Sequence, residues 1–272
     1  ADGVYTIKLW AVDNAGNVSA TSNDATFRID TTPPVLDNPS PIGAIKDDTP
    51  ELYVRFSDTG GSGYGSTTLW TISNGGSITL APSTEPPPGD YIKATPSGAL
   101  ADGEYSVLIT VKDLAGNETI FPMAPSTWSF TVDTVVPNAP DHAYAPEWTN
   151  DTTPEFTWNE ATDEGDGSGI AGYILEVWTT GLGAAKIRGP YKNITGTSYT
   201  LPLSGALSPD GEYEVRVWSV DNAGNVSGAY DVPLESNYAS DKFKLDTGKP
   251  VLSNGTPTDA DFQPPTETLR MQ

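Results

Sequence analysis

Three sets of carboxylates recur along this 272-residue chain. Asp30 and Asp133 sit in the phrases FRIDT (27–31) and FTVDT (130–134), and FKLDT follows at 243–247. Asp13, Asp113 and Asp221 open an Asp-x-Ala-Gly-Asn phrase that Asn17, Asn117 and Asn225 close. Asp58 and Asp163 lie in the Gly/Ser-rich stretches SDTGGSG (57–63) and TDEGDGSG (162–169), the second adding Glu164 and Asp166. Carboxylates joined by loop carbonyls are the donors Ca²⁺ prefers, roughly six to eight oxygens per ion. Glycoside hydrolysis would need two carboxyls held on opposite sides of the scissile bond. Asp163, Glu164 and Asp166 share one loop, so they do not supply that pair, and the sequence reads as non-enzymatic.

Composition narrows the chemistry further. Without cysteine there are no disulfides, thiolate nucleophiles or cysteine zinc sites, and a single histidine, His142, leaves no multi-histidine zinc site or histidine triad within the chain. Acidic residues outnumber basic ones 36 to 14, a formal charge of −22. Nucleic acid and anionic membrane are therefore poor partners, and cations are good ones. No apolar run is long enough to cross a bilayer, so no direct membrane insertion is expected of this segment. The opening ADGVYTIKLW resembles neither an initiator segment nor a signal peptide and reads as part of something longer.

The elements that must position the carboxylates also repeat. DGVY begins at Asp2 and DGEY at Asp102 and Asp210, in each case 11 residues before the first Asp of Asp-x-Ala-Gly-Asn. DDTPEL (47–52) is echoed by DTTPEF (151–156). Between these landmarks YTIKLWAVD, YSVLITVKD and YEVRVWSVD alternate with period two, the signature of strands. One face carries Tyr105, Val107, Ile109 and Val111, matched by Tyr213, Val215, Val217 and Ser219. The following Ala-Gly-Asn is a turn, in which Gly takes positive φ and Asp and Asn bond nearby backbone. Asp-Gly-x-Tyr fits a tyrosine corner, with the ring inward and the hydroxyl on backbone.

With these residues in place the chain resembles the immunoglobulin-like and fibronectin type III-like modules of large bacterial surface proteins. PEFTWNEATDEGDGSGIAGYILEVW (154–178) looks like a B strand with its core Trp158, a BC loop and a C strand. LSGALSPDGEYEVRVWSVD (203–221) looks like the E–F corner and F strand, with Leu207 and Tyr213 in the usual places. The resemblance implies an all-β fold of tandem immunoglobulin-like β-sandwich modules in a linear array. It divides the chain into the last strands of one module (1–30), two complete modules (31–133 and 134–246) and the start of a further module or tail (247–272). In such a sandwich the chain leaves one module near the incoming loops of the next. That brings Asp30 to Asp58, Asp113 and Asn117, and Asp133 to Asp163, Asp166, Asp221 and Asn225. Calcium at such junctions is also what the resemblance implies; the alternative is that each Asp only caps its own turn. The linkers DTTPP and DTVVP add stiffness, because proline fixes φ and biases its predecessor to extended backbone.

Trp178 and Trp218 fall on the outer faces of neighbouring strands, where exposed rings could stack on sugar. The alternative is that GLGAAKIRGPY (181–191) folds over them. Six Asn-x-Ser/Thr sequons occur, three of them within the repeated turn. The function expected is a rigid, non-catalytic spacer or stalk of an extracellular surface protein, with calcium-stiffened junctions. Its partners would be neighbouring modules of the same chain, with surface glycan or other copies of itself as further candidates. The alternative is a carbohydrate-binding accessory region of a secreted polysaccharide-active enzyme.

Overall fold

The computed structural model describes residues 1–73, 77–78, 80–82, 91–165, 167–230 and 237–251. Asp166 and nearly all of 247–272 therefore lie outside the described residues. Among the described residues every regular element but one 3₁₀ turn, Leu203–Gly205, is a strand, and the fold is tandem immunoglobulin-like β-sandwich, as expected. The chain opens with an antiparallel hairpin, β1 (Gly3–Leu9) and β2 (Asn23–Ile29).

The first sandwich follows. One sheet holds β3 (Val35–Ser40), β5 (Leu52–Ser57), β8 (Leu80–Pro82) and β9 (Tyr91–Pro96) in the order β3-β5-β9-β8. The other holds β4 (Gly43–Ile45), β6 (Tyr64–Ser73), β7 (Ser77–Ile78), β10 (Gly103–Asp113) and β12 (Trp128–Val132) in the order β4-β12-β10-β6-β7. There β11 (Glu118–Phe121) also pairs with β10. The second sandwich repeats the plan. Its smaller sheet is β13 (Ala143–Tyr144), β15 (Glu155–Trp158) and β18 (Ser198–Thr200). Its larger sheet is built from β14 (Trp148–Thr149), β16 (Ile170–Thr179), β17 (Lys186–Ile194), β19 (Gly211–Asp221) and β20 (Ala239–Leu245), ordered β14-β20-β19-β16-β17.

Alternation along the strands builds two separate cores. In the first, Tyr105, Val107, Ile109 and Val111 of β10 meet Leu52, Val54 and Phe56 of β5, with Trp70 and Trp128 edge to face at 5.9 Å. In the second, Tyr213, Val215 and Val217 meet Phe156 and Trp158, and Trp158 lies 5.3 Å from Tyr173. Ser219 shares that inward phase but donates through Oγ to the Asn138 carbonyl, so it ties the incoming linker to β19 rather than filling the core.

The tyrosine corner forms all three times. Tyr5 Oη donates to the Ala1 carbonyl at 2.5 Å, Tyr105 Oη to Ala101 at 2.7 Å, and Tyr213 Oη to Pro209. Each ring also packs on the aromatic residue of the return strand: Tyr5 and Tyr105 stack on Phe27 and Phe130, and Tyr213 lies tilted against Phe243. The hairpin is thus a third copy of one motif with an uncovered face. Phe27 is 44% exposed, whereas Phe130 is 1% exposed. Replacing Tyr105 with Phe keeps the ring and deletes the corner bond. It should cost the first sandwich about 1 kcal/mol in chemical denaturation, while Tyr105→Ala should cost about 3–5 kcal/mol.

Candidate metal centre

Each junction is a short exit segment held from two sides. At the first, β2 ends in Asp30-Thr31-Thr32. The hydroxyls of Thr31 and Thr32 donate to the two oxygens of Asp2 at 2.8 and 2.7 Å, binding the exit to its own hairpin. Those hydroxyls, Thr32 first, hold the Asp2 carboxyl below the usual range. At the second, Thr134 gives its N–H and hydroxyl to Asp102 at 2.9 and 3.0 Å. Thr247 repeats the bond on Asp210 at 2.8 Å. The Asp of Asp-Gly-x-Tyr and the Thr of Asp-Thr are therefore one latch, a pairing that the repeated spacing contained but the sequence reading did not extract.

From the other side the next sandwich grips the exit Asp. Ser62 N–H donates to Asp30 Oδ2 at 2.5 Å, and Ser168 N–H to Asp133 Oδ2 at 2.7 Å. The remaining oxygen, Oδ1, accepts Thr32 N–H in one case and Val135 N–H in the other. The Gly/Ser-rich loops fold back on their own Asp: Gly63 N–H bonds Asp58 Oδ2 at 2.6 Å, and Gly169 N–H bonds Asp163 Oδ2 at 2.7 Å. That wrap needs glycine inside the loop. A Cβ on Gly61 would stand 1.9 Å from Asp58 Oδ1, and one on Gly167 would stand 2.6 Å from the Asp163 carboxyl.

The Asp-x-Ala-Gly-Asn turn supplies the third carboxylate. Gly116 and Gly224 take φ of 93° and 87°, where a side chain would be strained. Asn117 N–H bonds Asp113 Oδ1 at 2.9 Å and Asn225 N–H bonds Asp221 Oδ1 at 2.8 Å. The Asn amides reach further than the turn requires. Asn117 Nδ2 donates both to Asp113 Oδ2 (2.8 Å) and to the Asp30 carbonyl (3.1 Å); Asn225 Nδ2 does the same to Asp221 Oδ2 and the Asp133 carbonyl, both at 2.8 Å. Turn geometry alone is therefore an incomplete account of these two residues.

The result is two matching clusters. Ligand oxygens of Asp30, Asp58 and Asp113 lie within 4.8 Å of one another, and so do those of Asp133, Asp163 and Asp221. Within each cluster one oxygen, Asp58 Oδ1 or Asp163 Oδ1, is buried without a hydrogen-bond partner among the described residues. Burial raises the Asp221 carboxyl above its usual range, with the neighbouring Asp133 charge acting the same way against the lowering bonds from Asn225. Asp30 instead is lowered, chiefly by its bond from Ser62. A buried oxygen lacking a donor, beside two like charges, is unfavourable for the protein alone and favourable for a hard cation. The residues present thus fit Ca²⁺. Glu164 is exposed and outside the cluster.

The tryptophan pair turns out differently. Trp178 and Trp218 do share the outer face of β16 and β19, with Trp178 opposite Glu214 and Ile174 opposite Trp218. Neither is exposed, at 2% and 0%. Arg216 lies between them in sequence phase, its guanidinium 4.5 Å from the Trp178 ring and 4.9 Å from Tyr238. Trp218 packs on Tyr238 and Tyr230, and Trp178 Nε1 donates to the buried Glu176 at 2.9 Å. Cation–π stacking and a buried carboxylate have closed the face, so the expected exposed sugar platform at Trp178 and Trp218 is corrected. Alternation along a strand says which face a ring takes, and the residues that cover that face come from elsewhere in the sequence.

No protein-family model matches the chain. Exoglucanase B of Cellulomonas fimi is 30% identical over 238 residues, 84% of this chain and 20% of that protein. Endoglucanase B of the same organism is 30% identical over 229 residues, and Exoglucanase A is 35% identical over 127. The chain spans a fifth or less of the length of these relatives. Among solved structures, a multi-domain segment of titin superposes with a TM-score of 0.51 at 17% identity, covering 90% of this chain and 75% of that one. That likeness shows an immunoglobulin/fibronectin type III-like fold.

The glycine constraint is directly testable. Gly167→Ala should destabilise the second sandwich by about 1–3 kcal/mol, as overpacking does. Gly98→Ala, where a Cβ meets nothing within 4 Å, should stay within about 0.5 kcal/mol. Equal effects of the two in denaturant titrations would remove the wrapped loop as a constraint.

Proposed function

We propose that this segment is a non-catalytic spacer in an extracellular multi-module protein, with Ca²⁺ stiffening its inter-module junctions. The observation that carries it is the duplicated cluster: three carboxylates from two successive units converge, and one buried oxygen in each cluster lacks a donor. Asp30, Asp58 and Asp113 would hold the ion at the first junction, and Asp133, Asp163 and Asp221 at the second. Asn117 and Asn225 orient their carboxylates. A bound cation would neutralise converging charge and tie together an exit segment, a BC-type loop and an F-strand turn. The −22 charge supports cation binding and keeps neighbouring copies apart at low ionic strength. On this reading the β1–β2 hairpin is the closing part of one more sandwich, and residues from Thr247 begin another.

Two settings suit such a spacer. One is the stalk of a surface adhesin, as the resemblance to bacterial surface repeats implies. The other, which the likeness to Cellulomonas fimi glucanases supports, is an accessory region separating the domains of a secreted polysaccharide-active enzyme. With Trp178 and Trp218 buried, the second setting rests on spacing rather than on sugar stacking.

Calcium should raise the unfolding free energy of the chelator-treated protein by about 2.7 kcal/mol per linked site at about 100-fold excess over Kd. Asp163→Asn places an amide N–H where the donor-less oxygen stands. It should raise the stability of the metal-free second sandwich and abolish its calcium response, while leaving that of the first sandwich intact. Identical melting curves with calcium and with chelator would overturn the metal assignment.

A further inference from the structure

We infer that Asn117 and Asn225 are positioning residues that dock each sandwich onto the preceding unit, so that alignment across the junction persists without a bound cation. The inference rests on the spacer reading above but not on the metal. An amide nitrogen carries two hydrogens, and here they go to different units. One stays within the sandwich, on Asp113 Oδ2 or Asp221 Oδ2, and the other crosses to the main-chain carbonyl of Asp30 or Asp133. The backbone N–H of the same Asn is bonded to the same carboxylate, which fixes the side chain at two points.

The crossing bond is surplus to the turn. In the hairpin, Asn17 makes both own-unit bonds to Asp13, through N–H and Nδ2 at 2.8 Å each, and the Asp-x-Ala-Gly-Asn turn closes in the same way. Gly16 N–H to Asp13 carbonyl and Asp13 N–H to Asn17 carbonyl match the bonds at the other two turns. The second amide hydrogen of Asn117 and Asn225 is therefore available for docking at no cost to the turn. Its acceptor is a main-chain carbonyl, which carries no titratable charge of its own.

Asparagine suits this position for a physical reason. Aspartate would set an acceptor against two acceptors, and serine has one hydrogen to give. Further contacts cross each junction without using the clustered carboxylates. Arg28 Nη2 donates to the Gly60 carbonyl at 2.9 Å, and Lys46 Nζ to the Gly224 carbonyl at 3.4 Å. The exit is also anchored behind, by Thr31 and Thr32 on Asp2 and by Thr134 on Asp102. Adjacent residues are thus bonded to different units, and no unbonded residue separates the two grips.

The chain has no cysteine, so Lys93→Cys and Lys242→Cys give two unique labels, one on each sandwich. Spin-label distance measurements on the full chain should show one narrow distribution with calcium and again with chelator. Asn225→Ala should lose the narrow peak in chelator while the near-ultraviolet signal of the buried tryptophans confirms that the sandwich stays folded. Asn117→Ala, with labels on the hairpin and the first sandwich, repeats the test should Asn225→Ala unfold. Asn17→Ala should leave the Lys93–Lys242 distribution unchanged. A broad distribution in chelator without any Asn substitution, narrowing on calcium, would overturn docking by Asn and assign alignment to the cation alone. A narrow distribution for folded Asn225→Ala in chelator would overturn it as well. A broad distribution under both conditions would overturn the rigid-spacer reading itself.

Discussion

The structure depends on a two-residue exit that belongs to two units at once. Asp133 and Thr134 are neighbours in sequence, yet Thr134 is bonded back to Asp102 while the carboxylate and carbonyl of Asp133 are bonded forward to Ser168 and Asn225. Four of the repeated phrases each contribute one part of this joint. Asp-Gly-x-Tyr supplies the rear anchor and the tyrosine corner, and Asp-Thr supplies the exit. The Gly-rich loop supplies a backbone donor and a second carboxylate, and Asp-x-Ala-Gly-Asn supplies the third carboxylate and the amide. The sandwich cores hold these parts in register but could be repacked with other apolar residues of similar volume. The joint has no such latitude, because each donor meets a particular acceptor.

Burying carboxylates is the unfavourable side of this arrangement. Asp113, Asp133 and Asp221 are each at most 3% exposed. The protein offsets the desolvation with backbone N–H donors, two for Asp133 and one for Asp163. Hydrogen bonds to ionised acceptors are stronger than neutral ones, which is why such groups can stay buried at all. The offset is incomplete at one oxygen per joint. The second sandwich buries charge in another place as well, where Glu176 and Arg216 lie beneath the outer face with Lys186, Trp178 and Tyr238 around them. There the charges are paired and stacked, and no oxygen of Glu176 or nitrogen of Arg216 is left over among the described residues. The contrast separates charges that are paired and stacked from a carboxylate oxygen left without a donor among the described residues.

Much of this was legible in the sequence. Period-two alternation located β10 and β19 and their inward residues, since each residue's face follows from backbone geometry alone. The sandwich topology then brought Asp30 to Asp58 and Asp113 across a gap of 83 residues in sequence, which required only that the chain leave and arrive at facing poles. What remained hidden depended on side chains meeting from unrelated stretches. The rings that close over Arg216 and Trp218 include Tyr230 and Tyr238, which sit outside the repeat and carry no periodic signal. The double role of Asn117 and Asn225 was hidden for the opposite reason. The turn by itself already accounts for an Asn at this position, as Asn17 shows, so the residue type carries no mark of the second bond.

The two joints share a bonding plan but differ in access to water, because the unit before Asp30 is present only as the β1–β2 hairpin. Asp133 is 1% exposed and Asn225 is buried, whereas Asp30 is 9% exposed and Asn117 is only half-buried. A hydrogen bond shielded from water is electrostatically stronger and meets less competition from solvent, which favours the bonds around Asp133. The exposure at Asp30 is that of a two-stranded hairpin whose inner face is uncovered, Phe27 being 44% exposed. At Asp133 the dehydration that strengthens the hydrogen bonds also strengthens the repulsion between the carboxylates. On the proposed reading, the strength of a joint's hydrogen bonds and its demand for a cation would both follow from how completely it excludes water.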